Sequence, residues 1–223
     1  HSLTKFMGGH GKSMGGVIVD GGTFDWGKDD RFPILTEPRP EYNGMILHET
    51  FGNFAFAIAC RVLGLRDLGA AISPFNAFQI ATGIETLALR MQKHCDNALG
   101  VAEWLSNHPK IEWVRYAGLK SDACYELGLK YMPKGAGAVF TFGVKGGYEA
   151  GVKVVSSTNL LSHVANIGDT KSLIIHPAST THKQLSDEQK ASAGAGVDVV
   201  RVSIGIEDLD DIIADLDQAL AGV

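Results

Sequence analysis

The stretch that decides the fold is HSLTKFMGGHGKSMGGVIVD, residues 1–20. It places one lysine, Lys5, beside two hydroxyl residues, Ser2 and Thr4, and continues into a glycine-rich run over residues 8–22. In an extended backbone, alternate side chains share a face, so Ser2 and Thr4 would lie together and Lys5 opposite them. Glycines let the backbone turn tightly and approach a ligand closely. The stretch therefore predicts a turn that directs hydroxyl and backbone donors at a phosphate, with an amine beside it.

Two nucleotide-binding patterns fit the same stretch poorly. Gly11-Lys12-Ser13 matches the end of a phosphate-loop motif, but Phe6 stands where that motif needs its first glycine. A dinucleotide fingerprint beginning at Gly9 fails because Met14 occupies the position of its third glycine. A neutral lysine amine can instead attack a carbonyl and form a Schiff base. The short S-x-T-K string alone favours an exposed lysine in a polar loop.

Composition narrows the class of protein. The 223 residues carry 20 Lys+Arg against 25 Asp+Glu, a net charge of −5, and 45% are hydrophobic. These values are typical of a globular chain, and the negative charge disfavours nucleic-acid binding. The longest apolar run, residues 54–60, is too short for a membrane helix. Three cysteines without a CxxC pair predict a cytoplasmic protein, and the spacing of the histidines predicts no metal site.

Hydrophobic periodicity predicts an α/β architecture. Ser73-Pro74 is a typical helix start, and the pattern continues to about residue 105 as one helix of roughly 45 Å, long enough to link two domains. We expect strands at residues 16–20, 111–116, 138–144 and 199–204. Further helices are expected at residues 54–65, 147–159, 187–193 and 207–220.

Four segments together carry a resemblance. They are SLTKFMGGHGKSMGGVIV (residues 2–19), GIETLALRMQKH (83–94), NIGDTKSLIIHPASTTH (166–182) and VRVSIGIED (200–208). In this order they resemble the Cys/Met-metabolism family of pyridoxal-phosphate enzymes, which have fold type I, and the resemblance covers the whole chain. It implies the C-terminal portion of such a transferase. Residues 1–72 would be the tail of the cofactor-binding large domain, and residues 73–223 the linking helix and a small α/β domain.

The resemblance also implies roles for individual residues. Lys5 would carry the Schiff base with pyridoxal 5'-phosphate, and Ser2 and Thr4 would bind its phosphate. No role for a metal is implied.

The substrate side of the site follows from the same resemblance. Arg201 would hold the α-carboxylate of the amino-acid substrate, Asn166 would help in that grip, and Thr181 would brace Arg201. Without the resemblance, the sequence alone favours a surface ion pair with an acidic residue for an arginine in a strand.

Within the family, residues 20–53 and 166–182 are most similar to the O-acetylhomoserine sulfhydrylase branch. This implies γ-replacement, in which O-acetylhomoserine and sulfide or methanethiol give homocysteine or methionine plus acetate, a step of methionine biosynthesis. The alternatives are methionine γ-lyase, O-succinylhomoserine sulfhydrylase and an inactive C-terminal fragment. Family members carry further cofactor-binding residues before the lysine, so we expect an N-terminal half outside this sequence. We also expect a homo-oligomer, a tetramer built as a dimer of dimers.

Overall fold

The computed structural model describes all 223 residues, and their contacts divide them into two units. The first contains residue 1 and residues 15–77, and the second contains residues 2–14 and 78–223. The lysine segment thus folds with the C-terminal unit. The sequence-based boundary at residue 72 refers to the domains of a longer enzyme and stays a prediction.

The first unit is built from short helices around a small apolar core. They are α1 (Pro33–Thr36), α2 (Leu47–Phe51), α3 (Ala55–Ala59) and a π-helical segment at Cys60–Asp67. Aromatic rings close this core, since Trp26 stacks on Phe56 with ring centroids 4.8 Å apart. The consecutive helical segments from Ala55 to Asp67 confirm the helix predicted over residues 54–65.

The strand predicted at residues 16–20 is absent. Ile18 and Val19 are 64% and 81% exposed, and their backbone is irregular. An apolar run becomes a strand only where a neighbouring strand satisfies its backbone N–H and C=O groups. Here only Val17 is paired, through its N–H to the His1 carbonyl at 3.0 Å and its carbonyl to the His1 amino group at 2.7 Å. The pairing does not extend along residues 18–20, so the predicted strand was wrong for this chain.

The long helical pattern forms two consecutive helices, α4 (Pro74–Glu85) and α5 (Leu87–Ser106). The side chain of Ser73 accepts a hydrogen bond from the Asn76 N–H at 3.1 Å, as the predicted cap requires. Thr86 leaves the helical conformation, with φ −103° and ψ 6°. The predicted single helix is thus interrupted at this residue, where the side chain of Arg90 binds the Gly83 carbonyl and Oγ1 of Thr86.

The second unit contains a five-stranded mixed sheet. Its strands are β1 (Ile111–Arg115), β2 (Val139–Val144), β3 (Ser162–His163), β4 (Leu173–Ile175) and β5 (Val199–Ser203). The spatial order is β1-β2-β5-β4-β3, and every adjacent pair is antiparallel except β3–β4. The strands predicted at residues 111–116, 138–144 and 199–204 are confirmed.

Helices cover one face of this sheet. The unit adds α6 (Tyr125–Tyr131), α7 (Gly147–Ser157), α8 (Asp187–Ser192) and α9 (Leu209–Ala221). The core joins α5, α7 and α9 to the sheet side chains Phe142, Val200 and Val202, all fully buried. A capping box of Ser186 and Gln189 begins α8, in agreement with the helix expected at residues 187–193. No helix in the structure is both long and apolar enough to cross a membrane.

The start of α9 differs slightly from the prediction. Asp208 is the N-cap, and its carboxylate accepts from the Asp210 N–H at 3.0 Å. Glu207 precedes the helix, where its carboxylate binds Ser172. The helix therefore begins two residues later than residue 207.

Candidate active site

The lysine segment folds as a tight π-helical turn over Leu3–Met7. The Gly8 N–H donates to the Leu3 carbonyl at 2.9 Å, and the Gly9 N–H donates to the Lys5 carbonyl at 2.8 Å. Lys5 itself leaves helical geometry, with ψ −137°. The segment thus forms a turn that these two glycine amides close. The extended backbone considered for Ser2, Thr4 and Lys5 in the sequence analysis is therefore wrong.

The amine of Lys5 points at a distant loop. Its half-buried side chain donates a hydrogen bond from Nζ to Oδ1 of Asn166, which lies between β3 and β4. Two residues on, the Gly168 N–H donates to Oγ of Ser203 on β5 at 2.9 Å. A Cβ on Gly168 would lie 2.6 Å from the Phe6 nitrogen, so the loop contacts the lysine segment closely. The loop therefore joins the lysine segment to the sheet.

Arg201 lies near the middle of the sheet, on the face away from the helices. It is paired with Thr141 on β2 and with Ile175 on β4. Side chains alternate along a strand, so Arg201 shares a face with Ser203, the residue that holds the Asn166 loop. Burial lowers the pKa of the guanidinium, and no acidic side chain contributes to that shift. The alternative of a surface ion pair is therefore not what the structure contains.

The predicted hydroxyl residues lie in different surroundings. Thr4 is half-buried and lines an open cavity of about 290 Å³ together with Gly8, Gly11 and Lys12. Ser2 is exposed. The hydroxyl of Thr181 contacts Nδ1 of the neighbouring His182 at 2.9 Å, and no hydrogen bond links it to Arg201. The structure thus brings Lys5 and Asn166 together and leaves Thr181 apart.

One residue that the sequence analysis missed lies directly beneath the lysine segment. Arg90 on α5 is only 6% exposed and donates to the carbonyl of Phe6 at 2.8 Å and that of Met7 at 3.3 Å. The same side chain donates to the Gly83 carbonyl at 2.6 Å and to Oγ1 of Thr86 at 3.1 Å. These two bonds hold the helix interruption between α4 and α5.

His94 follows Arg90 by four residues and lies on the same helix face. Its ring meets Phe6 edge-on, with centroids 5.1 Å apart, and Nδ1 lies 2.7 Å from the Ile204 carbonyl. A carbonyl only accepts, so Nδ1 carries the hydrogen and the buried Nε2 is left without a partner. Burial lowers the pKa of this histidine, which keeps the ring neutral.

A second network fixes the loop that carries Asn166. The Glu207 carboxylate accepts from the Ser172 N–H at 2.6 Å and from its hydroxyl at 2.9 Å. The Ser172 hydroxyl in turn accepts from the Gly205 N–H at 2.8 Å. The end of β5 and the start of β4 are therefore tied together.

The sequence and fold of this chain are similar to those of known proteins. The chain belongs to the Cys/Met metabolism PLP-dependent enzyme family, whose model matches residues 1–221. This confirms the family inferred from the motifs and the dependence of that family on pyridoxal phosphate.

Curated relatives and a solved structure agree with this family. Homocysteine synthase of Schizosaccharomyces pombe is 53% identical over 221 residues, covering 99% of this chain and 52% of that protein. O-acetyl-L-homoserine sulfhydrylase of Leptospira meyeri is 53% identical over 232 residues, covering 100% of this chain and 52% of that protein. The chain thus spans about half the length of the curated relatives it matches.

The solved structure is a putative O-acetylhomoserine (thiol)-lyase from Campylobacter jejuni with N'-pyridoxyl-lysine-5'-monophosphate. It is 42% identical, with a TM-score of 0.89, over 99% of this chain and 53% of that one. An α/β fold like part of that enzyme is therefore shown for this chain.

The residues present fit pyridoxal phosphate. Lys5 offers a primary amine that is half-buried and held by a neutral amide rather than by a carboxylate. Thr4, the residue before it, lines the open cavity together with the glycine loop, whereas Lys5 itself is not among the lining residues. The arrangement combines a nucleophilic amine, a hydroxyl donor and closely approachable backbone, which are the features that an aldehyde-bearing phosphate ester needs.

Proposed function

We propose that this chain is part of a pyridoxal-phosphate-dependent O-acetylhomoserine sulfhydrylase of methionine biosynthesis. The reaction breaks the Cγ–O bond of O-acetylhomoserine and forms a Cγ–S bond with sulfide, giving homocysteine and acetate. With methanethiol the product is methionine. The observation that carries the proposal is the Lys5–Asn166 contact, which lies over the sheet face that also bears the unpaired Arg201. The names of the relatives support the choice of branch.

The half-length match supports a further proposal about organisation. We propose that the sequence corresponds to the C-terminal part of the enzyme, with residues 1–72 in the large domain and residues 73–223 in the linking helix and small domain. The complete enzyme would assemble as a homotetramer, a dimer of dimers. Its cytoplasmic location stays a prediction from the sequence.

The cofactor would be held by residues at the start of the chain. Lys5 would bind it covalently through Nζ, and the hydroxyls of Ser2 and Thr4 would donate to its phosphate. When bound, pyridoxal phosphate supplies an electron sink for the electron pair left at Cα. The Lys5 amine, in its neutral form, would take the proton from Cα and deliver protons nearby, and Asn166 orients Nζ through its Oδ1.

The substrate would be oriented from the sheet. The planar guanidinium of Arg201 suits a two-pronged hydrogen bond with the α-carboxylate. Because no acidic side chain occupies it, the partly buried guanidinium is available to an anion. Thr181 contributes only if the loop rearranges, since its hydroxyl is engaged with His182.

Borohydride reduction tests this function in the protein expressed from its complete reading frame. With added pyridoxal phosphate, we expect the peptide containing Lys5 to gain the mass of a pyridoxyl group, and Lys5→Ala to abolish the gain. Sulfide consumption should be faster with the acetyl than with the succinyl ester of homoserine. An unlabelled Lys5 would overturn the enzyme proposal, and methionine cleavage without ester turnover would indicate the lyase instead.

A further inference from the structure

We propose that Arg90 is a positioning residue that sets the orientation of the Lys5 amine by holding the two carbonyl groups that follow it in the chain. This inference rests on the proposed function for its catalytic consequence. It assigns a role to a residue of the linking helix that does not itself contact cofactor or substrate.

The contacts of Arg90 are directed at the lysine segment. Its Nη1 donates to the Phe6 carbonyl at 2.8 Å and its Nη2 to the Met7 carbonyl at 3.3 Å, across more than 80 residues of sequence. Arg90 is almost fully buried, and no carboxylate pairs with it. A buried cation whose partners are neutral carbonyl and hydroxyl oxygens depends on every one of these hydrogen bonds, so the carbonyl groups are held firmly in place.

The surrounding backbone is shaped to admit the guanidinium. Gly9 has φ +76°, and a Cβ there would lie 2.6 Å from Cζ of Arg90. A Cβ on Gly83 would lie 2.9 Å from the Gly8 carbonyl carbon, so α4 and the glycine turn are in direct contact. Any larger residue at Gly9 or Gly83 would displace the turn that carries Lys5.

Lys5 is oriented from two sides, by α5 and by the loop between β3 and β4. Arg90 fixes the carbonyl groups after Lys5, while Asn166 accepts a hydrogen bond from the amine itself. His94 adds an edge-on contact with Phe6 from the same helix face. Backbone and side chain of Lys5 are thus oriented by different elements, and Arg90 governs the backbone.

Arg90→Lys is the sharpest test, because lysine keeps the charge but lacks the planar fork that reaches several carbonyl groups at once. In the complete enzyme we expect kcat to fall about 10- to 100-fold, since small misplacements of a reacting group are costly, with KM for the ester within about twofold. In the cofactor-free protein, amides of residues 2–9 should exchange with deuterium about tenfold faster, while those of α9 should not change. Arg115→Lys is the matched control, because Arg115 is exposed and pairs only with Asp122 at 3.0 Å.

A milder variant tests the same inference in case the Arg90→Lys protein does not fold. Thr86→Val removes the partner of Nε, together with the long bond from the Thr86 hydroxyl to the Gly83 carbonyl at 3.4 Å, and leaves the bonds from Arg90 to the lysine segment in place. It should shift kcat and exchange in the same direction, about threefold. The inference is overturned if the folded Arg90→Lys protein, or Thr86→Val should the former not fold, matches Arg115→Lys in both kcat and exchange. If the parent enzyme neither labels at Lys5 nor consumes sulfide, the proposed function fails, and the exchange measurement alone still decides whether Arg90 holds the turn.

Discussion

Nζ of Lys5 donates a hydrogen bond to Oδ1 of Asn166, a residue 161 positions further along the chain. The contact exists because the loop is anchored at Gly168, two residues after Asn166. The Gly168 N–H donates to Oγ of Ser203 on β5, and the Gly168 backbone lies close to Phe6. The position of the amine is therefore a property of the tertiary fold, and it can be tested residue by residue.

Removing the acceptor should impair turnover without removing the lysine. In Asn166→Ala, the loss of the hydrogen bond that orients Nζ predicts a fall in kcat/KM of about tenfold or more. Reductive labelling of Lys5 with pyridoxal phosphate should persist, because the amine itself is retained. Asn107→Ala changes an exposed asparagine and serves as the control. Equal kinetics in the two variants would mean that the Lys5–Asn166 contact is irrelevant to catalysis.

Replacing Arg201 should separate binding from stability. For Arg201→Met we expect KM for the amino-acid substrate to rise about 100-fold, because two charged hydrogen bonds are lost. The free energy of unfolding should not decrease, since a partly buried, unpaired cation is replaced by an apolar side chain. Steady-state kinetics and urea unfolding measure the two effects. Arg66→Met, at an exposed position, is the control, and an unchanged KM in Arg201→Met would contradict the proposed carboxylate site.

Acid should destabilise the fold through its buried histidine. Burial lowers the pKa of His94 in the folded state, so below about pH 6.5 the unfolded chain binds a proton that the folded chain does not. The free energy of unfolding should therefore decrease as the pH falls from 7 to 5. His176, whose pKa is also lowered by burial, acts in the same direction.

Variants locate this effect in urea titrations at several pH values. His94→Gln should give a shallower dependence on pH, although it is less stable at pH 7. The exposed His163 is the matched site, and His163→Gln should keep the slope of the parent. A parent protein whose stability is flat between pH 5 and 7 would refute the assignment.

A buried carboxylate on α9 should matter for stability alone. Asp215 accepts from the backbone N–H groups of Asn159, Leu160 and Leu161 at 2.8–2.9 Å. In Asp215→Asn, an amide donor faces these donors, so we expect a loss of about 2–4 kcal/mol in the free energy of unfolding. Asp211→Asn, at an exposed position on the same helix, should cost under about 1 kcal/mol. A similar loss in both variants would show that the three N–H contacts contribute little.

The sequence predicted those elements whose stability is local. The strands at residues 111–116, 138–144 and 199–204 are mostly apolar with single polar residues between, and they pair with one another in the same unit. Residues 16–20 have a similar composition, but only Val17 pairs with another backbone segment, at His1, and no property of residues 16–20 themselves reveals that the pairing stops there. The interruption at Thr86 depends on Arg90 and Gly83, whose role follows from contacts with the lysine segment 80 residues away.

The candidate site was predictable only where a motif marked it. Lys5, Asn166 and Arg201 lie in segments that resemble the family, and the resemblance implies a role for each. Arg90 and His94 also lie in such a segment, residues 83–94, but no role was assigned to them and they were interpreted only as parts of a long helix. A signal was present, because a cation and an imidazole four residues apart lie among apolar positions of that helix. Such a pair on a buried face needs partners, and here the partners are the carbonyl groups and the ring beside the lysine.

Residues 2–14 group with residues 78–223 in one compact unit, although residues 15–77 directly follow them in the chain. The amine proposed to bind the cofactor and the cation proposed to bind the substrate therefore belong to one folded body. The distance between Lys5 and Arg201 is therefore expected to stay the same when other parts of the enzyme move. Substrate entry can then be controlled by those other parts without changing the relative positions of these two side chains.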